Sequence, residues 1–129
     1  MKKILIIDDD RDLADLTSEV LKNAGYDVLV SYDPREGFGT AKQQKPDLIL
    51  LDILLPGMDG PEAVKFFKED PVIKDIPVIF LTALLSGETE SSREEELLID
   101  GKKYPVIAKP FEINDLLERI KTTLERAAV

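Results

Sequence analysis

Four apolar runs in this chain each lead into a residue that can bind phosphate or a metal ion. They cover residues 4–7, 48–51, 78–81 and 106–108, and the residues that follow are Asp8, Asp52, Thr82 and Lys109. The runs are continuous and rich in Ile, Val and Leu, which is typical of buried parallel strands. In an open α/β sheet, the carboxyl ends of such strands meet at one crevice, where ligands bind. The pattern therefore predicts one site that holds an anion against a divalent cation.

Three acids are the centre of this predicted site, because Asp8 and Asp9 follow the first run and Asp52 follows the second. Carboxylates packed closely repel one another unless they share a proton or a cation. Mg²⁺ or Mn²⁺ with oxygen ligands would relieve that repulsion. A carboxylate such as Asp52 can also attack phosphorus to form an acyl phosphate once a cation neutralises the crowded charge. One alternative stays open: Asp8, Asp9 and Asp10 could simply cap the following helix, where acids are favoured.

The composition excludes several other chemistries. The chain has 129 residues, of which 43% are hydrophobic, so it is long enough for one domain with a core. It contains no Cys and no His, so thiolate metal sites and phosphohistidine chemistry are excluded. Its net charge of −9 argues against direct binding of nucleic acid. No apolar run is long enough for a signal peptide or a membrane span, so we expect a soluble cytoplasmic protein.

Helical patterns lie between the apolar runs. Residues 13–24 have helical spacing and are followed by Gly25, which suits a helix stop. Asp33 and Pro34 predict a helix start after a strand over residues 27–31, and Gly60 and Pro61 predict another. The last helix should bury Ile113, Leu116, Leu117, Ile120 and Leu124. A Glu-rich segment over residues 86–101 is interpreted as a further helix. The order is β-α repeated five times, which predicts one doubly wound parallel sheet with helices on both faces.

Five short motifs resemble, in order, the receiver domain of bacterial two-component response regulators. They are residues 4–9 (ILIIDD), 46–52 (PDLILLD), 55–60 (LPGMDG), 81–83 (LTA) and 109–111 (KPF). The resemblance covers the whole chain and implies one receiver domain over residues 1–129. It also implies a flavodoxin-like fold, an α/β sheet of five parallel strands in the order 2-1-3-4-5.

The same resemblance implies a role for each site residue. Asp52 would be the phosphoacceptor, and Asp8 and Asp9 would hold Mg²⁺ together with Asp52 and the backbone carbonyl of Leu54. Thr82 would bind a phosphoryl oxygen and move on activation, and Lys109 would contact the phosphoryl group. The implied function is a phosphorylation-dependent switch in a two-component phosphorelay. Its partners would be a sensor histidine kinase or a histidine phosphotransfer protein, and a downstream protein that binds residues 83–129.

The sequence departs from the family pattern in three places. The stretch between Thr82 and Lys109 is several residues longer than usual. Val106 stands where the family commonly has an aromatic switch residue, and Tyr104 is close by but is followed by Pro105. Leu54 and Leu84 are apolar where the family often has polar residues near the site.

Two other functional hypotheses compete with the main one. One is an aspartyl-phosphate phosphatase of the haloacid-dehalogenase type, which needs a second Asp two residues after the nucleophile; Leu54 stands there instead. The other is a receiver-like interaction module whose switch no longer responds to phosphate. We expect a signalling phosphoacceptor that catalyses only its own phosphoryl transfer and slow dephosphorylation, and no metabolic enzyme. A stand-alone regulator and a part of a longer one are both compatible with the sequence.

Overall fold

The computed structural model describes residues 2–52, 54–55, 58–82, 96–99, 102–108 and 111–127. Its strands are β1 (Lys3–Ile7), β2 (Asp27–Ser31), β3 (Leu48–Asp52), β4 (Leu54–Leu55), β5 (Met58–Asp59), β6 (Val78–Thr82), β7 (Glu96–Ile99) and β8 (Lys102–Ala108). Its helices are α1 (Arg11–Asn23), α2 (Pro34–Gln44), α3 (Gly60–Glu69) and α4 (Ile113–Ala127). Within these residues, no helix is long and apolar enough to cross a membrane.

The central sheet has the strand order β2-β1-β3-β6-β8-β7. Its first five strands run parallel, so the predicted order 2-1-3-4-5 is confirmed. The sequence did not predict the sixth strand, β7, which runs antiparallel to β8 at the edge of the sheet. A separate two-stranded antiparallel pair, β4 and β5, follows β3.

The predicted helix over residues 86–101 is wrong for its last part, because residues 96–99 form strand β7. Glu96 pairs with Pro105 and Ile99 with Lys102, so β7 and β8 are consecutive antiparallel strands. The sequence carried a signal for this arrangement, because Asp100-Gly101 is a residue pair that favours tight hairpin connections. The prediction of a helix relied on the glutamates of this segment, which suit a solvated helix, and gave too little weight to the short apolar run over residues 97–99. Residues 86–95 lie outside the described part of the chain.

Short polar side chains begin the first two helices, Asp33 as the sequence predicts and Asp10 as one of the three acids that the sequence left open. The Oδ1 atom of Asp10 accepts a hydrogen bond from the Leu13 N–H at 3.1 Å, which caps α1. Asp33 caps α2 in the same way, and Pro34 occupies the first turn. Gly25 follows α1 with φ +100°, a backbone conformation that residues other than glycine rarely adopt. These residues fix where α1 and α2 begin and where α1 ends.

Two apolar layers hold the helices on the two faces of the sheet. On one face, the strands pack against α1 and α4 through buried residues that include Ala14, Leu21, Leu116 and Ile120. On the other face they pack against α2 and α3, around Ala41 and Phe67. The prediction for the last helix fails at one residue: Ile113 is 51% exposed, because it is the first residue of α4. Leu117 and Leu124 are partly buried against the core.

Candidate functional site

The three acids predicted from the sequence lie together at the carboxyl ends of β1 and β3. These strands are neighbours in parallel register, with Ile7 paired to Leu51. One carboxylate oxygen from each of Asp8, Asp9 and Asp52 lies within 4.8 Å of the others. Asp8 is 1% exposed and Asp52 is 9% exposed, whereas Asp9 is exposed. The cluster therefore opens to solvent on the Asp9 side.

Backbone contacts on both sides hold Asp8 in place. Its N–H donates to the carbonyl of Ser31 in β2 at 3.1 Å. Its Oδ1 atom accepts a hydrogen bond from the Asp10 N–H at 3.0 Å. Asp10 in turn caps α1 and is not a member of the cluster. The structure thus assigns the helix-capping role to Asp10, while Asp8 and Asp9 lie with Asp52.

The donor set of the cluster fits a small divalent cation. All three ligands are carboxylate oxygens, which Mg²⁺ and Mn²⁺ prefer over nitrogen or sulfur. Oxygens bound to one Mg²⁺ at about 2.1 Å are at most about 4.2 Å apart. Adjacent oxygens of an octahedral site are only about 3.0 Å apart, and at least two of the three pairs must be adjacent, so separations of up to 4.8 Å need to shorten by up to about 2 Å on binding.

The other residues predicted for the site end neighbouring elements. Thr82 is the last residue of β6, where it pairs with Ala108, and Leu81 beside it pairs with Asp52. Leu54 begins the short strand β4 and pairs with Asp59. The backbone thus places Thr82 and Leu54 at the same edge of the sheet as the acids. Lys109 follows Ala108 directly and lies outside the described residues.

A concavity of about 250 Å³ lies at the other end of the strands, away from the acid cluster. It is formed at the starts of β1, β3 and β6 and beside the last turns of α4, and its charged lining residues are Lys2, Asp47 and Asp75. None of the residues predicted to bind phosphate or metal lines it. We therefore assign the candidate site to the acid cluster.

The aromatic residue nearest in sequence to Val106, the expected switch position, is Tyr104. Tyr104 and Val106 are both buried and lie in the same core layer, on the α2 and α3 face of the sheet. The Tyr104 ring meets the Phe80 ring edge-on, with centroids 5.9 Å apart. The ammonium of Lys68 lies 5.8 Å from the centre of the Tyr104 ring. Tyr104 is therefore packed into the core two residues before Val106, the position where the family commonly has its aromatic switch residue.

A polar network that the sequence did not reveal joins Tyr32, which follows β2, to the first helix. The Tyr32 hydroxyl donates to the Oδ1 atom of Asp15 at 2.6 Å, which ties the β2–α2 connection to α1. The guanidinium of Arg11 lies over the same ring, 4.3 Å from its centre. The hydrogen bond to Asp15 is the main cause that raises the pKa of Tyr32 above its ordinary value of 10.0. A nearby carboxylate disfavours the phenolate because the two negative charges repel.

We expect the Asp15→Asn substitution to lower the pKa of Tyr32. The amide oxygen of asparagine is a weaker acceptor than a carboxylate and carries no charge, so both the hydrogen bond and the repulsion that disfavour the phenolate are reduced. The measurement is a tyrosinate absorbance titration in a Tyr26→Phe, Tyr104→Phe background, which leaves Tyr32 as the only tyrosine. The raised pKa means that this contact stabilises the fold fully below the ordinary tyrosine pKa, and the contribution disappears as the pH rises through the folded-state pKa. An unchanged titration in Asp15→Asn would rule out this role for Asp15.

Comparison with known proteins identifies the family. The family model "Response regulator receiver domain" matches residues 4–121. The chain belongs to the response regulator receiver domain family. This membership confirms the family predicted from the five motifs, and with it the signalling role in two-component systems. The match favours the receiver domain over the phosphatase alternative.

Full-length relatives of this receiver domain are transcriptional regulators. The DNA-binding dual master transcriptional regulator RpaA of Synechocystis is 39% identical over 126 residues, which are 98% of this chain and 50% of RpaA. The phosphate regulon transcriptional regulatory protein PhoB of Pseudomonas aeruginosa is 38% identical over 125 residues, which are 97% of this chain and 52% of PhoB. The chain thus spans about half the length of these curated relatives.

Solved receiver structures share the fold along nearly the whole chain. The CheY-like response regulator receiver domain protein of Methanospirillum hungatei superimposes with a TM-score of 0.79 at 32% identity, over 99% of this chain and 97% of its own. The chemotaxis protein CheY4 of Vibrio cholerae superimposes with a TM-score of 0.79 at 28% identity, over 95% of this chain and 98% of its own. These receivers are what the chain resembles in both sequence and fold.

Proposed function

We propose that Asp52 of this receiver domain accepts a phosphoryl group from a sensor histidine kinase or a histidine phosphotransfer protein. The observation that carries the proposal is the cluster of Asp8, Asp9 and Asp52 at two neighbouring strand ends. A cluster of three carboxylates is costly on its own, and the cost is relieved when a cation is shared among them. The domain proposed to do this extends over residues 1–129.

Asp8, Asp9, Asp52 and the carbonyl of Leu54 would hold Mg²⁺, or Mn²⁺ in its place. When bound, the cation offsets the negative charge of the carboxylates and of the incoming phosphoryl oxygens. Asp8 is held by its contacts to Ser31 and Asp10, so its carboxylate is already oriented before binding. Asp9, the exposed member, lies on the side from which the cation and the donor can enter.

Asp52 is the nucleophile in this proposal. One of its carboxylate oxygens forms a bond to phosphorus while the bond between phosphorus and the donor's histidine nitrogen breaks. Thr82 would donate its hydroxyl to a phosphoryl oxygen, and the Lys109 ammonium would contact the phosphoryl group. The chain itself contains no His, so the donor must be another protein or a small acyl phosphate. The chain would catalyse only this transfer and a slow loss of the phosphate.

The downstream partner would bind residues 83–129, whose described part comprises β7, β8 and α4. RpaA is named as DNA-binding, but only about half of its length aligns with this chain. The net charge of −9 would repel a nucleic acid backbone. We therefore propose that this chain acts on protein partners and that it makes no direct contact with DNA.

We expect the protein to gain the mass of one phosphate when it is incubated with acetyl phosphate and Mg²⁺, as measured by intact mass spectrometry. The gain should be lost with excess chelator and should return with Mn²⁺, because the carboxylates need a cation before a phosphoryl group can approach. Equal labelling with and without chelator would disprove the role of the cation. No labelling under any of these conditions would favour the interaction module whose switch does not respond to phosphate.

A further inference from the structure

The first turn of α2 packs unusually closely on the strand that carries Asp8. Gly37 faces Ile7, the residue just before Asp8. A Cβ atom built on Gly37 would lie 2.5 Å from the Cδ1 atom and 2.7 Å from the Cγ1 atom of Ile7. Real side chains do not approach this closely, so α2 reaches this position only because residue 37 has no side chain. The other glycine of this helix, Gly39, has open space at the same point.

A second contact fastens the same turn to the strand beside Asp8. The hydroxyl of Ser31, which is fully buried, donates to the carbonyl of Asp33 at 2.9 Å. Asp33 caps α2, and the Gly37 N–H donates to the same Asp33 carbonyl at 2.9 Å. The carbonyl of Ser31 in turn accepts the hydrogen bond from the Asp8 N–H. Ser31 therefore connects the first turn of α2 to the backbone of a predicted cation ligand.

We propose that Gly37 and Ser31 are positioning residues for the cation site. They hold the end of β1 so that Asp8 and Asp9 lie within reach of Asp52. The inference rests on the proposed function, because it assumes that this cluster binds a divalent cation. It adds that the affinity depends on a helix that contributes no ligand. Residues that orient ligands in this indirect way typically change metal affinity by about 10- to 100-fold when they are replaced.

Ile7 cannot yield to a larger residue at position 37 by turning away. It is fully buried, in the same core cluster as Leu5, Ala41 and Leu51. Its Cβ atom is branched, which restricts rotation about the first side-chain bond, and protein cores leave few voids that a displaced methyl group can fill. An added methyl group at residue 37 must therefore move α2 or the end of β1. Either movement displaces the backbone that holds Asp8.

The test compares Gly37→Ala with Gly39→Ala, two identical substitutions in one helix. Mn²⁺ is titrated into each full-length variant, and the free ion is measured by electron paramagnetic resonance. We expect Gly37→Ala to weaken Mn²⁺ binding by about tenfold or more, and Gly39→Ala to bind as the wild type does. Circular dichroism establishes that both variants are folded. Equal affinity in the two variants would overturn the proposal.

A double variant separates positioning from a general loss of structure. Ile7→Ala removes Cδ1, Cγ1 and Cγ2, the three atoms nearest to the added methyl group, so Ile7→Ala/Gly37→Ala relieves the whole clash and is compared with Ile7→Ala alone. We expect this double variant to recover most of the lost affinity, and no recovery would contradict the packing argument. If Gly37→Ala does not fold, Ser31→Ala tests the same turn without added volume, and unchanged Mn²⁺ affinity there would overturn the proposal. A wild-type protein that binds no Mn²⁺ would instead refute the proposed cation site itself.

Discussion

The Asp52→Asn variant should gain no phosphate when the wild-type protein becomes fully labelled by acetyl phosphate and Mg²⁺. Asparagine has nearly the shape of aspartate, but its amide is not a nucleophile that can form an acyl phosphate at neutral pH. Asp52 ends a strand whose other residues are fully buried and apolar. The substitution therefore changes the chemistry of the site with little change in packing. Intact mass measured over a time course of labelling gives the result directly.

Asp47→Asn is the matched control for this experiment. Asp47 directly precedes β3, so it lies at the opposite end of the strand that ends in Asp52. Its Oδ2 atom accepts a hydrogen bond from the Lys3 N–H at 2.7 Å, a contact that an asparagine oxygen can keep. We expect Asp47→Asn to be labelled like the wild type. Phosphate gain that persists in Asp52→Asn would show that another residue is the acceptor.

Phe80→Ala should lower the free energy of unfolding by about 3–5 kcal/mol. Phe80 is fully buried in β6, a central strand of the sheet, and its ring packs edge-on against Tyr104. Removing the ring leaves a cavity that the surrounding strands cannot fill. A domain of this size is typically stable by only about 5–15 kcal/mol, so the loss is a large fraction of the total. Urea unfolding followed by circular dichroism measures it.

Phe66→Ala is the control for Phe80→Ala. Phe66 lies on α3 and is 55% exposed, although its ring touches Phe38 edge-on with centroids 6.1 Å apart. Because half of this ring already contacts solvent, we expect its removal to cost much less than the removal of Phe80. A similar loss for both variants would show that the layer around Phe38 and Phe66 contributes as much stability as the central strands.

The fold and the proposed chemistry meet at the carboxyl ends of the strands. The buried strands fix the backbone at their carboxyl ends, where Asp8 and Asp52 are buried and Asp9 is exposed to solvent. Substitutions in the core should therefore change stability first, whereas Asp52→Asn should change labelling without unfolding the chain. Substitutions of Gly37 and Ser31 belong to both classes, because these residues affect the packing of the core and also the backbone of a predicted cation ligand.

The amino-acid sequence by itself determined where the parallel strands lie along the chain and which residues stand at their carboxyl ends, whereas their order in the sheet came from the family resemblance. Continuous apolar runs mark buried strands because both faces of a parallel sheet are covered by helices. The polar residue after each run then falls at one edge, so Asp8, Asp9 and Asp52 could be grouped without coordinates. Asp33, Pro34 and Gly25 are local signals that act through the backbone of their own helix, and the structure confirms all of them.

Contacts between residues distant in sequence were decided only by the tertiary structure. Residues 96–99 joined the sheet as an antiparallel strand because β8 offered them a partner, which outweighed the helical character of the preceding glutamates. The sequence left open whether Asp10 or its neighbours cap α1, since all three carry the same carboxylate. Gly37 carried no signal, because the need for a missing side chain arises only where α2 meets Ile7. Local sequence determines which elements form, and packing between them determines how closely the acids are held.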